Sequence, residues 1–486
     1  MIAPTQMAEK RPGLSTKCHP DPITGLVALP TRTPAPDSVL LSDVFSALSL
    51  SLDLTEGQPM GHALRTCLVS MELGQRLGLP LALRRDLYFA ALLKDVGCSS
   101  NAALVFALFG DDDRQTKGAR MRVDWSNYFR AAFFAMAHAA PGASCFERAT
   151  RVARIARGGT RLAARLVRVR SERGADLVSQ LGLGLGAADA VRSLDEHWDG
   201  RGHPRGLRGE EIPIVARILT LAQTLEVFTV RDGVGSGLGV VRGRAGRWFD
   251  PLVASACAGL EGPLEAWRAM STHELQRHVL DAEPGDARMI AGPRAIDRIA
   301  QVFAEVVDAK SPFTGEHSLR TTQLAVSVGH QLGWNAADLE ELRRAGLLHD
   351  LGKLTVPNSI LDKPSPLTAS EWEVMRMHSF YTERILQHVR GFEWLAFASA
   401  SHHERLDGSG YCRGLRGEQV PELSRVLAVA DIYDALSTRR PYRPALEQEQ
   451  VLETMERDRE AGLCPVALDA LCVALGEDAG ADERAA

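Results

Sequence analysis

The sequence lacks the features that mark membrane, secreted or zinc-ribbon proteins. Its eight cysteines are scattered over 486 residues with no C-x-x-C pair, which indicates reduced thiols rather than a zinc site or a disulfide framework. No apolar run reaches the roughly 18 residues of a membrane span, and the N-terminus has no hydrophobic signal core. Lysine and arginine number 56 against 61 acidic residues, so no positive excess favours nucleic acid. We therefore expect a cytoplasmic protein that binds no membrane and is not coated by nucleic acid, with a local basic patch left open.

The pattern of apolar residues is helical nearly throughout. Apolar side chains recur at spacings of three and four residues, as in Leu64–Leu77, Leu319–Leu332 and Leu423–Leu436, which is typical of helices with one buried face. Alternating runs that would indicate strands are scarce. We therefore predict an all-α fold. Residues 1–37 are rich in proline and threonine and are expected to form a flexible N-terminal segment.

The chain contains an internal repeat. Residues 199–210, DGRGHPRGLRGE, align with residues 407–418, DGSGYCRGLRGE, at a constant offset of 208. Upstream, Leu92–Asp95 align with Leu347–Asp350 at an offset of 255, so the first copy has an inserted region over about residues 100–168. We predict two tandem helical domains over residues 38–280 and 295–475, with a linker over 281–294 and a disordered tail over 476–486.

Seven side chains of the second copy have the chemistry of metal ligands. Imidazole nitrogens and carboxylate oxygens, without thiolates, suit two borderline-to-hard cations that activate water. In chain order the seven are His317, His349, Asp350, His378, His402, His403 and Asp431. The sequence therefore predicts a dinuclear hydrolytic centre in the C-terminal half.

The first copy keeps only two of these seven side chains. His62 and Asp95 stand at the positions of His317 and Asp350. The other five positions hold, in chain order, Lys94, Arg170, Leu194, Asp195 and Gln223. Because lysine and arginine side chains repel a metal ion, we expect this copy to be metal-free and catalytically silent. It would serve as a scaffold, a regulator or a surface that binds a protein partner or a second copy of the chain.

Several motifs of the second copy resemble the HD-GYP family, a branch of the HD superfamily of metal-dependent phosphohydrolases. The match covers most of residues 300–475. Its motifs are LLHDLGK at 347–353, HHERLDG at 402–408, GY at 410–411, DIYDAL at 431–436 and RPYR at 440–443. The resemblance implies a degenerate HD-type domain followed by a catalytic domain with an HD-GYP-like extension. It also implies hydrolysis of the bacterial second messenger cyclic di-GMP to pGpG or GMP.

The resemblance further implies a bound cofactor, two divalent transition-metal ions, with iron or manganese favoured. Asp350 would bridge the two ions and take part in catalysis. One ion would also bind His317 and Asp431, and the other would bind His378, His402 and His403. Lys353 lies one helical turn beyond His349, where its ammonium would act in catalysis by contacting a phosphate oxygen. Tyr411 and Arg443 would contact the guanine and phosphate portions of a cyclic dinucleotide substrate.

The second copy departs from the family in two places. The Gly-Tyr-Pro motif reads Gly410-Tyr411-Cys412, and Phe313 stands where members with three metals carry a glutamate, so we expect two ions. Two alternatives to cyclic di-GMP hydrolysis stay open. The chain would act on another cyclic dinucleotide or nucleotide, or it would be a non-catalytic scaffold for protein interaction and signalling.

The insertion carries a run of arginines. They are Arg148, Arg151, Arg154, Arg157, Arg161, Arg165 and Arg168. Their steps of three and four predict one stripe along a helix. The stripe is either a solvated face with ion pairs to acidic neighbours, or a surface that binds an anionic partner.

Overall fold

The computed structural model of the chain is helical nearly throughout, which confirms the predicted all-α fold. It describes residues 30–33, 36–110, 112–121, 123, 133, 134, 136–139, 143–459 and 461–485. Over these residues the only strands are β1 (Val39–Leu40) and β2 (Ile290–Ala291), which pair antiparallel. No single helix in the same ranges is long and apolar enough to cross a membrane, although Leu81–Leu93 and Cys98–Phe109 would be so together, across a bend of 43°.

Two compact units divide the chain. The first domain comprises residues 38–298 with 357–359. Its helices are α1 (Leu41–Thr55), α2 (His62–Arg76), α3 (Leu81–Leu93), α4 (Ala102–Phe109), α5 (Asp113–Arg120), α6 (Cys145–Gln180), α7 (Leu185–Arg192), α8 (Ile214–Asp232), α9 (Val234–Arg244), α10 (Pro251–Ser255), α11 (Glu261–Ala269) and α12 (Thr272–Asp281), with 3₁₀ turns at Cys98–Asn101 and Gly209–Glu211. Strand β2 falls within the predicted linker, so part of that linker pairs with β1 of the same domain.

The second domain comprises residues 299–356 and those from 360 onward, with the described residues before 38. The remaining helices are α13 (Pro293–Asp308), α14 (His317–Gln331), α15 (Ala336–Leu348), α16 (Asn358–Leu361), α17 (Ala369–Leu386), α18 (Glu393–Ala400), α19 (Glu422–Ser437), α20 (Gln448–Glu456) and α21 (Pro465–Ala485), with 3₁₀ turns at Leu351–Thr355 and Gly417–Gln419. Helix α21 extends into the tail that the sequence predicts to be disordered. The predicted flexible segment over residues 1–37 lies mostly outside the described residues.

The two domains repeat one helical arrangement. In the first, α2 packs against α3 and α8, and in the second, α14 packs against α15 and α19. Helices α2 and α14 both begin at a buried histidine, His62 and His317. A buried aspartate fixes each start, since Asp53 accepts hydrogen bonds from two N–H groups at the start of α2 (2.8 and 2.9 Å) and Asp308 accepts one from Ser318 N–H (3.0 Å).

A close approach of two backbone segments positions the second domain's HDLG motif. A Cβ at Gly352 would overlap the carbonyl oxygen of His378 on α17, so only glycine fits where the 3₁₀ turn meets this helix. The first domain repeats the feature, because a Cβ at Gly97 would overlap the carbonyl oxygen of Arg170. The aligned glycines therefore keep the turn after the Asp95 or Asp350 position against the neighbouring helix.

The insertion builds a small core of its own. Buried side chains from α4, α5 and α6 pack together, among them Leu108, Phe109 and Leu166. Gly159 has non-helical angles (φ 45°, ψ −136°) inside α6, so the helix is kinked there. The prediction of a single arginine stripe is therefore wrong, because Arg157 and Arg161 lie on helical segments that differ in direction.

Candidate metal centre

The second domain brings the seven predicted ligand side chains together. They come from the start of α14, the residues just after α15, the middle of α17, the two residues beyond Ser401 after α18, and the middle of α19. His403 is partly exposed, whereas the other six side chains are buried. Helix packing, rather than one local loop, therefore assembles the cluster.

The ligand atoms form two groups around Asp350. His378, His402 and His403 offer nitrogens within 4.8 Å of one another, and atoms of His317, His349 and Asp431 are equally close. Asp350 Oδ1 lies 3.6 Å from His378 Nε2, and Asp350 Oδ2 lies 3.2 Å from His349 Nε2. Since its two oxygens face different groups, Asp350 has the geometry to bridge two ions.

The histidine rings are oriented by hydrogen bonds on their outer nitrogens. Nδ1 of His349, His378 and His402 donates to the carbonyl three residues earlier, at 2.6, 2.7 and 2.6 Å. Nδ1 of His317 instead donates to the Asp434 carboxylate at 2.6 Å. Each bond fixes the orientation of its ring and directs Nε2 toward the centre, which is the atom that a metal ion would bind.

Several atoms at the centre are buried without a hydrogen-bond partner. They are Nε2 of His317, His349 and His402, together with Oδ1 of Asp350. An orphaned buried polar atom costs roughly 1–3 kcal/mol, and four such atoms converging on one place indicate a ligand that satisfies them. Nitrogen and carboxylate donors in this number fit two divalent transition-metal ions.

The electrostatics keep five of the seven side chains in the protonation state that ligation needs. His317 differs: burial alone would lower its pKa, but the carboxylates of Asp350, Asp431 and Asp434 raise the pKa to about 10, so a bound ion would displace a proton from this imidazole. Burial lowers the pKa of His378 to about 4 and holds the pKa values of His402 and His403 well below the usual range, so these imidazoles are neutral. Burial alone would raise the pKa values of Asp350 and Asp431, but the neighbouring basic side chains hold both well below the usual value. Both carboxylates are therefore ionised.

The structure adds two supporting residues that the sequence analysis does not predict. Arg320, one turn after His317 on α14, donates from Nε to Asp434 at 2.7 Å and so fixes the carboxylate that orients His317. Glu404 is buried and accepts the backbone N–H groups of Arg413 and Leu415 at 2.6 and 2.9 Å, which holds the loop after the histidine pair. The repeat contains a signal for Arg320. In the first copy, Arg65 and Glu226 stand at the positions of Arg320 and Asp434, at the repeat offsets of 255 and 208.

Of the three predicted substrate contacts, two lie beside the metal-ligand groups and Arg443 does not. The Lys353 ammonium contacts Asp350 Oδ2, and the buried Tyr411 ring lies 4.8 Å from the His403 ring. Both therefore border the ligand groups. The Arg443 guanidinium donates to the carbonyls of Ala435 and Pro444, both at 2.8 Å, and over the described residues no contact joins it to the seven ligands. The peptide bond before Cys412 is cis, as is the His203–Pro204 bond at the aligned position.

Comparison with known proteins gives a consistent assignment. The HD domain family matches residues 155–253 and 301–462. A 3'3'-cGAMP-specific phosphodiesterase 3 of Vibrio cholerae is 37% identical over 435 residues, covering 90% of this chain and 94% of the relative. The cyclic di-GMP phosphodiesterase response regulator RpfG of Xanthomonas campestris is 35% identical over 35% of this chain and 45% of its own length.

A solved structure matches nearly the whole length of the chain. The crystal structure of the cyclic GMP-AMP specific phosphodiesterase V-cGAP3 of V. cholerae matches with a TM-score of 0.63 at 33% sequence identity. The match covers 90% of this chain and 98% of that one, so the tandem architecture is shared along nearly the full length of both chains.

Proposed function

The chain belongs to the HD domain family, in its HD-GYP branch, and from that premise we propose that its second domain is a metal-dependent phosphodiesterase acting on a cyclic dinucleotide. The observation that carries this proposal is the pair of ligand groups on either side of Asp350, with unpartnered Nε2 atoms facing inward. Two bound divalent ions would activate a water and neutralise the charge on a phosphoryl group.

The chain's own residues would position the ions and contact the substrate. Asp350 would hold both ions at a fixed separation, since its two oxygens face the two ligand groups. The Lys353 ammonium, beside Asp350, would contact a non-bridging phosphate oxygen as the negative charge grows. The buried Tyr411 ring would keep His403 in place and border the substrate.

The favoured substrate is 3'3'-cGAMP, with cyclic di-GMP as the second candidate. Supporting this order, the relative named for 3'3'-cGAMP matches 90% of this chain, including the first domain. RpfG, named for cyclic di-GMP, matches 35% of it. Hydrolysis of one phosphodiester bond in either ring would give a linear dinucleotide, and a second hydrolysis would give mononucleotides.

Iron or manganese is the metal that we propose, in two sites. Imidazole and carboxylate donors suit both metals. Phe313, at the place of a third-metal glutamate in other members, has no donor atom in its side chain, which supports two ions rather than three.

The test is product formation by the full chain, purified without oxygen and loaded with Fe(II) or Mn(II). Equal amounts of 3'3'-cGAMP, cyclic di-GMP and cyclic di-AMP are supplied, and products are separated by chromatography. We expect turnover of 3'3'-cGAMP to be fastest and to disappear in Asp350→Ala. His330→Ala is the matched control, because His330 is an exposed histidine on α14, the helix that carries His317. A fully loaded protein that hydrolyses none of the three would overturn the proposal, and faster turnover of cyclic di-GMP would reverse the substrate order.

A further inference from the structure

Lys94 takes the position in the first domain that ligand His349 has in the second. Its side chain is completely buried. Its Nζ lies 2.9 Å from His62 Nε2 and contacts Asp95 Oδ2. His62 and Asp95 are the two side chains that this domain keeps from the ligand set, so the ammonium lies between the only retained ligands.

The retained histidine is oriented as a metal ligand would be. His62 Nδ1 contacts the Glu226 carboxylate, which also accepts a hydrogen bond from Arg65 Nε at 2.6 Å. The same frame orients His317 in the second domain, through the aligned pair Asp434 and Arg320. In both domains Nδ1 faces the carboxylate, so Nε2 faces inward, toward the position of a cation.

We propose that the Lys94 ammonium is a built-in cation that replaces a metal ion in the first domain, and that His62 and Asp95 are retained as its ligands. The lysine that stands at the position of ligand His349 then stabilises the first domain as well as removing a metal ligand. The first domain would need no metal to be stable, whereas the second has buried donor atoms that only an added ion satisfies. This inference does not depend on which substrate the second domain hydrolyses.

The charge state of Lys94 supports the same reading. Burial alone would lower its pKa, but the carboxylates of Asp95 and Asp53 raise the pKa above the ordinary lysine value. A buried cation with two anionic neighbours stays protonated across the physiological range. The ammonium can therefore hold the Nε2 lone pair and the carboxylate together permanently.

Further side-chain cations lie around a second group of possible metal donors in this domain. Glu56, Asp95 and Cys98 offer atoms within 4.8 Å of one another, which would otherwise be a candidate metal site. Lys117, from the inserted helix α5, lies 3.4 Å from Glu56 Oε1 and donates to the Cys98 carbonyl at 2.8 Å. Arg170, at the position of His378, lies 3.8 Å from Glu56 and pairs with Asp195. The insertion thus supplies one of the three cations that surround the Glu56, Asp95 and Cys98 group.

The test measures hydrogen–deuterium exchange in α2 and α8 of the full-length protein, with and without EDTA. In the natural sequence we expect protection of both helices to be unchanged by EDTA. Lys94→Ala should accelerate exchange of the slowest amides there by on the order of tenfold or more. Methylammonium, which fits the vacated space, should restore protection, whereas the bulkier tetramethylammonium should not.

Three further variants separate a cation requirement from a simple cavity. Leu93→Ala opens a space at the neighbouring, fully buried position and should lose protection without rescue by methylammonium. Lys94→His restores the His-Asp pair and should make protection of α2 depend on added Mn(II) or Zn(II). This variant still tests the proposal if Lys94→Ala does not fold. The proposal is overturned if Lys94→Met is as protected as the natural protein, or if EDTA alone removes protection from the first domain.

Discussion

The two domains share a polar frame and differ in the cations that this frame surrounds. Each has a histidine whose Nδ1 meets a carboxylate fixed by an arginine, and each has a glycine at the turn against the next helix. Each also has a buried glutamate, Glu196 or Glu404, that accepts backbone N–H groups of the following loop. Features present in both copies belong to the fold, and those confined to the second, the imidazole groups around Asp350, belong to the chemistry.

The largest difference should appear in hydrolysis when the shared aspartate is removed from either domain. Asp350→Ala removes the bridging carboxylate, so we expect kcat/KM to fall by on the order of 10²-fold or more. Asp95→Ala removes a ligand of Lys94 and should leave kcat/KM of the folded, metal-loaded protein nearly unchanged. Steady-state kinetics with the metal content of each sample measured will check both. Equal losses in the two variants would contradict the division between fold and chemistry.

A second comparison concerns the carboxylate behind each histidine. Asp434→Asn weakens the acceptor that orients His317, and we expect roughly 10–100-fold weaker metal binding. Glu226→Gln should leave metal binding by the chain unaltered and lower the free energy of unfolding by about 3–5 kcal/mol, because Arg65 loses its buried partner. Mn(II) titration of activity and chemical denaturation measure the two effects. A change in Mn(II) affinity in Glu226→Gln would mean that the first domain also binds the ion.

The aligned glycines should respond alike, since they serve the fold in both domains. Gly97→Ala and Gly352→Ala each force a methyl group onto a backbone carbonyl, and we expect each to lower the free energy of unfolding by about 1–3 kcal/mol. Gly239→Ala in α9 is the control, because a Cβ there meets open space and alanine favours the helix. Denaturant titration measures all three; tolerance of alanine at only one aligned site would show that the two turns differ.

The smallest effect is expected from the exposed arginines of the insertion. Arg161, Arg165 and Arg168 are exposed, and over the described residues no ion pair involves them. Replacing all three with alanine should change the free energy of unfolding by no more than about 0.5 kcal/mol per site. Arg170→Ala, on the same helix but buried against Asp195, should cost about 3–5 kcal/mol. A large loss in the triple variant would show that the exposed arginines have structural partners.

Much of the fold and the candidate ligand set could be predicted because the relevant signals are local. Helical spacing of apolar residues predicts the all-α class, and paired motifs at constant offsets predict the tandem repeat. The role of Arg320 could not be read in this way, since its partner Asp434 lies 114 residues away and reaches it only when α14 packs on α19. The kink at Gly159 also breaks a pattern that looks continuous in the sequence.

The substrate is the least predictable property. Cyclic di-GMP and 3'3'-cGAMP differ in one purine base, and a metal centre acts on the phosphodiester bonds that both molecules share. Motifs that a whole family shares therefore predict cyclic di-GMP as the substrate. Similarity to the 3'3'-cGAMP-specific relative, which extends over the first domain, favours 3'3'-cGAMP instead. Distinguishing them requires contacts outside the ligand motifs.

The way each ligand histidine is anchored has an evolutionary consequence. A carbonyl three residues earlier in the chain orients each of His349, His378 and His402. Such a histidine can be replaced without leaving a distant buried group short of a hydrogen-bond partner. The first copy has diverged at all three aligned positions. His317 is tied to a remote carboxylate, and losing its counterpart His62 would leave the buried Glu226 without one partner. At these four histidines, the substitutions between the two copies thus follow the reach of each hydrogen bond: the locally anchored ligands differ, and the one with a remote partner is kept.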